Sequence, residues 1–291
     1  MSDQAEALRR LVGERRPTTK ARVVAVTSGK GGVGKTNLAV NLAISLARLG
    51  LRTGVLDGDL GLANVDIVLG LNPEFNLGHV VYGQKRLDQI LVEGPEGIAV
   101  FSGGTGVYEL ANLSQWLLQR FIREIGALDT KLDLLFLDTG AGISRNAMSF
   151  VFASEEVIVV TTPELTAIAD AYGVIKLVLS KNPNTKVRVI VNMARDERQA
   201  EVVLRSLTRV TRQFLGYDAC LELLGHVPID ACVSRAVQTQ TPFVIAYPTS
   251  QASRRVEAIA HRLQSGGLDR QPSGVGGLFQ RMADFLSRRG A

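Results

Sequence analysis

Residues 22–40 read RVVAVTSGKGGVGKTNLAV, and the fold is decided inside this stretch. The short β-branched run 21–29 ends at Gly29, which predicts a buried strand. TNLAVNLAISLARLG (36–50) places apolar residues at helical spacing and stops at a glycine, which predicts a helix. Between them Gly29, Gly34, Lys35 and Thr36 satisfy G-x-x-x-x-G-K-[ST] in the strand–loop–helix setting that the pattern demands. Glycines let backbone N–H groups turn inward around phosphates, and the helix N-terminus adds partial positive charge. Lys35 is expected on the β- and γ-phosphate oxygens and the Thr36 hydroxyl on Mg²⁺. One residue is surplus to this chemistry: Lys30 is a second cation in a loop that already has Lys35.

Outward from the loop, the runs 52–59, 97–104, 132–140, 156–163 and 186–192 read as strands. Their apolar content is continuous rather than alternating, as in parallel sheets covered on both faces. Segments 114–127, 164–180 and 196–215 read as helices. The repeated β-α order predicts one α/β, doubly wound domain over residues 22–265, with helices on both faces of a mostly parallel sheet. Residues 1–21 form an N-terminal segment, the Gly/Ser/Pro-rich 266–276 a linker, and 277–291 a last helix.

The 291 residues are 46% apolar and 21% charged, enough to bury a sizeable core. No stretch approaches 18 uninterrupted apolar residues, and the first 22 lack the apolar centre of a secretory signal, so a cytosolic protein is expected. Cys220 and Cys232 sit in no CxxC pair, which argues against a disulfide framework or a four-ligand zinc site. Of the net charge of +5, residues 1–22 and 262–291 carry +3 each, leaving the middle near −1. Basic ends on a near-neutral body point to a partner or an acidic membrane surface rather than to nucleic acid.

A Mg-nucleotide site also needs carboxylates at strand ends. Asp57 and Asp59 in VLDGDLG and Asp138 in LLFLDTGAG each follow an apolar run. Asp59, two residues beyond Asp57, is placed to hold an attacking water. Any one of the three taken alone is equally an ordinary turn or cap residue.

KGGVGKT with its early lysine resembles the deviant Walker A loop of the MinD/ParA ATPases. The resemblance continues through LDGDLGLANVDIVLG (56–70), FLDTGAGI (136–143), TTPELTAIADAYGVIK (161–176), VNMA (191–194) and HVPID (226–230). It implies a slow ATPase that forms a homodimer when ATP-bound, with Lys30 reaching across to the partner's phosphates. By the same carry-over the loop Gly29, Lys30, Gly31, Gly32, Val33, Gly34, Lys35, Thr36 and Asn37 binds the nucleotide. Thr36, Asp57 and Asp138 serve Mg²⁺, Lys30 and Asp59 are catalytic, and Asn192 with the loop Pro228–Asp230 holds adenine. Asn192 is also readable as an ordinary strand-end asparagine. The iron–sulfur branches of the superfamily need cluster cysteines that this chain does not place.

Outside the core, DQAEALRRLV (3–12) resembles the DQAxxLR segment of the FlhG family, MinD-like ATPases that control flagellar number and placement. That resemblance implies that Asp3, Gln4, Ala5, Leu8 and Arg9 dock on and stimulate the FlhF GTPase. It further implies switch-ring partners of the FliM/FliN type and, in some bacteria, a flagellar transcription activator. In GLFQRMADFLSRRGA (277–291), Leu278, Phe279, Met282, Phe285 and Leu286 share one helical face and Arg281 and Arg288 lie on the other. This is the pattern of an interfacial membrane helix, and a helix packed on the body is the alternative. A partitioning ATPase on the nucleoid, or an anchor that binds nucleotide without turnover, are the competing functions.

Overall fold

The computed structural model describes residues 20–59, 64–103, 113–216, 220–266 and 271–287. The N-terminal residues Asp3, Gln4, Ala5, Leu8 and Arg9 lie outside them. Eight strands form one sheet: β1 (Arg22–Thr27), β2 (Thr53–Gly58), β3 (Val92–Glu93), β4 (Ala99–Phe101), β5 (Leu134–Thr139), β6 (Glu156–Thr161), β7 (Lys186–Asn192) and β8 (Leu221–Val227). Their order is β3-β4-β2-β5-β1-β6-β7-β8. All neighbours are parallel except the short β3, which runs antiparallel to β4 at the edge. Every residue of β2, β5 and β6 is buried, the physical reason their sequences do not alternate.

The helices are α1 (Lys35–Arg48), α2 (Asn64–Leu69), α3 (Leu77–Val81), α4 (Leu87–Ile90), α5 (Gln115–Gly126), α6 (Leu128–Lys131), α7 (Arg145–Ala153), α8 (Leu165–Lys181), α9 (Glu197–Leu215), α10 (Ala231–Gln238), α11 (Phe243–Ala246), α12 (Gln251–Ser265) and α13 (Gly274–Ser287). Val24 and Val26 of β1 face a core shared with Leu38 and Leu42 of α1 and Val256 and Ile259 of α12. On the opposite face Val23 joins Phe121 of α5 and Phe279 of α13, while Ala25 joins Val174 of α8 and Val203 of α9. The two-sided burial expected of a doubly wound sheet is therefore observed.

At the N-terminal edge of the sheet a charged cluster is buried. Glu156, fully buried, receives Arg22 Nη2 at 2.7 Å and a short contact from Arg188, which Glu222 also engages at 2.9 Å. The two arginines donate onward to the end of α12, Arg22 to Leu263 O at 2.7 Å and Arg188 to Gly266 O at 2.5 Å. A buried charge is tolerable only with such partners.

The last helix departs from expectation. It begins at Gly274 rather than 277, and its apolar face is not presented to solvent: Leu278, Phe279, Met282 and Leu286 are buried against α5 and α7, and Phe285 is half-buried. Phe279 stacks edge-to-face on Phe121 and Phe150 with centroids 5.2 and 6.2 Å away, and Phe285 on Phe152 at 5.2 Å. Of the two readings of this segment, an interfacial membrane helix or one packed on the body, the structure has the packed one. The reason is that four turns are marginal alone, whereas each such side chain gains about 2 kcal/mol on burial. Polar contacts fix the seat: Arg281 donates to Ala153 O at 2.7 Å, and Arg145 donates to Leu286 O at 3.2 Å. A single oxygen, Asp129 Oδ1, accepts from Val275 N at 2.7 Å and from Ala21 N at 3.3 Å.

Candidate active site

The chain order brings the C-terminal ends of β2, β5, β1, β6 and β7 side by side, with β1 at the point where the strand order turns back. Ligands of open α/β sheets bind at that point. The loop Ser28–Gly34 leaves β1 there and enters α1 at Lys35. Gly29 has a steric reason: a Cβ added to it would stand 2.2 Å from the backbone of Asp170 in α8. The Gly142 amide donates to Ser28 O at 2.8 Å, which ties the loop following β5 to the phosphate loop.

Asp57 and Asp138 are register partners on β2 and β5, and both are buried. The Thr36 hydroxyl donates to Asp138 Oδ2 at 2.5 Å, while Asp138 Oδ1 is buried without a partner among the described residues. Asp57 accepts from the amides of Asp59, Asn64 and Val65 at 2.9, 2.9 and 3.1 Å. Burial pushes the Asp138 carboxyl up to about 7 against the pull of Thr36 and Lys35. Burial likewise raises Asp57 to about 6 against its three amide donors. Two desolvated carboxyls beside a threonine hydroxyl, with one buried oxygen unpartnered, fit a Mg²⁺–phosphate group, which supplies the positive charge that the carboxylates lack. Thr36, Asp57 and Asp138 are the residues that would hold it.

Asp59 lies over the start of the loop after β5, since a Cβ on Gly140 would come within 3.5 Å of its Oδ1. Its Oδ2 accepts from Asn64 Nδ2 at 3.4 Å. The position suits a residue that orients a water in front of the phosphate loop.

Lys30 is turned toward the start of α8. Its ammonium donates to Glu164 Oε2 at 2.8 Å and to Thr166 Oγ1 at 3.2 Å, at the start of α8. Both members of this ion pair are largely exposed, 41% and 65% at the side chain, so it holds by no more than about 1 kcal/mol. Nothing in the sequence paired Lys30 with Glu164; the neighbouring of β1 and β6 does.

Asn192 ends β7, and its Nδ2 donates to Val33 O inside the phosphate loop at 2.8 Å. The loops after β7 and β8 are joined by the Ala194 amide on Val227 O at 3.1 Å, which brings Asn192 and Pro228 into one region. The Asp230 carboxylate is committed to structure. It caps α10 through Cys232 N at 2.9 Å and accepts from Ala252 N at 3.1 Å, so its side chain is not free for a base. Those donors hold the Asp230 carboxyl below the usual range even though burial works the other way. Cys232 is half-buried and Cys220 exposed, and among the described residues no group of three or more His, Cys, Asp or Glu could hold a metal ion.

Comparison with known proteins agrees with this geometry. Residues 19–264 match a family model described as ParA, NUBPL iron-transfer P-loop NTPase. The chain is 42% identical over 253 residues to the antiactivator FleN of Pseudomonas aeruginosa, covering 87% of this chain and 90% of that protein. It is 33% identical to the flagellum site-determining protein YlxH of Helicobacter pylori, covering 98% and 100%. Among solved structures, the septum site-determining protein MinD of Pyrococcus horikoshii complexed with Mg-ADP superposes with a TM-score of 0.66 at 25% identity. That match covers 84% of this chain and 96% of the other.

Proposed function

Because this chain belongs to the MinD/ParA family of P-loop ATPases, we propose that it is a regulator of flagellar number and placement that uses ATP binding and slow hydrolysis as a two-state switch. The observation that carries the reading is its likeness, over 87% and 98% of the chain, to the antiactivator FleN and to YlxH, the second of which is named a flagellum site-determining protein. In the ATP-bound state two chains face each other across their phosphate loops, and Lys30 leaves Glu164 for the partner's phosphates. Lys35 and the loop amides hold the chain's own phosphates, and Asp59 orients the attacking water. Lys30 and Asp59 are the catalytic residues of this reading. Asn192 and the backbone of the Pro228–Asp230 loop border the adenine.

The docked α13 supports a second part of the reading. A helix whose apolar face is buried in one state is available to an acidic membrane only when released, so membrane residence follows from undocking. No helix among the described residues is long and apolar enough to cross a membrane. The N-terminal segment is the docking element for an FlhF-type GTPase. Switch-ring proteins of the FliM/FliN type are further partners, as is a transcription activator of the kind implied by the word antiactivator. Direct nucleic-acid binding is not part of this reading.

The test is co-sedimentation with acidic liposomes in ADP and in ATP, on the full chain and on a chain ending before residue 274. ATP-dependent binding that needs the last helix is the expected result. Binding to DNA instead, dependent on ATP and weakened by salt, would move the assignment to a nucleoid-riding partition ATPase.

A further inference from the structure

The Asn192 side chain does more than border a base. It reaches from the end of β7 into the phosphate loop and donates from Nδ2 to Val33 O at 2.8 Å. The next residue, Gly34, has φ +91°, and a Cβ added there would come within 2.5 Å of the same nitrogen. Loop and amide are therefore in contact at two consecutive residues, one by a hydrogen bond and one by close approach. A phosphate loop works through the direction of its amide groups, and reversing or loosening one peptide unit removes a donor from the phosphates. The Val33 carbonyl belongs to the peptide unit that supplies the Gly34 N–H. The bond that fixes this oxygen thus also fixes the direction of that N–H.

We propose that Asn192 is a positioning residue for phosphate binding, bracing the peptide between Val33 and Gly34 from the neighbouring strand. This rests on the ATPase reading and deepens it, because the brace acts on the phosphates, whereas an adenine contact acts on the base alone. A side-chain amide has two unlike ends. Nδ2 carries two hydrogens, so with one engaged by the loop its second N–H and the acceptor Oδ1 are left for a ligand.

A ligand without a base separates the two roles. Mg-tripolyphosphate and Mg-ATP binding are measured by calorimetry on the full chain and on Asn192→Ala and Asn192→Asp. Both substitutions remove the donor, and the second keeps the shape should alanine fail to fold. A lost brace weakens both ligands by a similar factor, roughly fivefold, the size of one hydrogen bond. Weaker Mg-ATP binding with unchanged tripolyphosphate binding would overturn the proposal and leave Asn192 a reader of the base. Unchanged binding of both would overturn it as well. Failure of the unsubstituted chain to bind Mg-ATP would strike the ATPase reading itself, so the two failures are distinguishable.

Discussion

Asp138 shows how much a single carboxyl can report. One oxygen accepts from Thr36 and the other is buried with no partner among the described residues, an environment that favours the protonated form. Burial raises this group to about 7 and Asp57 to about 6 from an ordinary value of 3.8. A raised carboxyl binds more protons folded than unfolded, so its stabilisation is complete below the unfolded value and is lost as pH rises through the folded one. The melting temperature of the ligand-free chain is therefore expected to fall between about pH 4 and 7 through this pair. That slope should be shallower in Asp138→Asn and in saturating Mg-ADP, which thermal melts at several pH values would show. The three aspartates were legible in the sequence because each closes an apolar strand. The Lys30–Glu164 and Asn192–Val33 contacts were not. Each joins residues more than 130 positions apart, and only the placing of β6 beside β1, with β7 next to β6, brings them together.

At the scale of elements, legibility followed burial. The strands covered on both faces stood out as unbroken apolar runs, whereas β3 has two residues and β8 is a half-covered edge strand, so neither produces such a run. Short helices such as α2, α4 and α11 span six residues or fewer, too little for a helical period to show. The last helix was read correctly as amphipathic, but a pattern of faces does not say what covers them. In the proposed switch two apolar partners compete for this face, the groove under α13 and a bilayer. Phe279→Ala removes the ring that stacks on Phe121 and Phe150, and a buried Phe→Ala change costs about 3–5 kcal/mol. Hydrogen exchange over residues 274–287 should accelerate in this variant while the β1 amides remain protected. Equal acceleration in both would mean that the helix is an inseparable part of the core.

For the whole molecule, the informative contact is the weakest one. An exposed ion pair to Glu164 at 2.8 Å and one hydroxyl contact to Thr166 at 3.2 Å hold Lys30 on its own chain, so in the proposed dimer a second chain offering phosphates displaces Glu164 at little cost. Lys30→Ala is expected to leave Mg-ATP binding within about threefold, a loss of under 1 kcal/mol. Turnover should drop at least tenfold, because in the proposed dimer the partner's site loses a cation at the reacting phosphate. An equal loss of binding and turnover would place Lys30 in its own chain's site. Sedimentation velocity with ATP reads the dimer directly in both proteins.

The oxygen of Asp129 that receives both Ala21 and Val275 ties the residue ahead of β1 to the first turn of the last helix. Ala21 immediately precedes β1, and Val275 is the second residue of α13. A ligand that draws the helix away also removes a neighbour from the root of the N-terminal segment. Linkage is symmetric: in the proposed switch, whatever factor a membrane imposes on an N-terminal partner's affinity, that partner imposes on the membrane's.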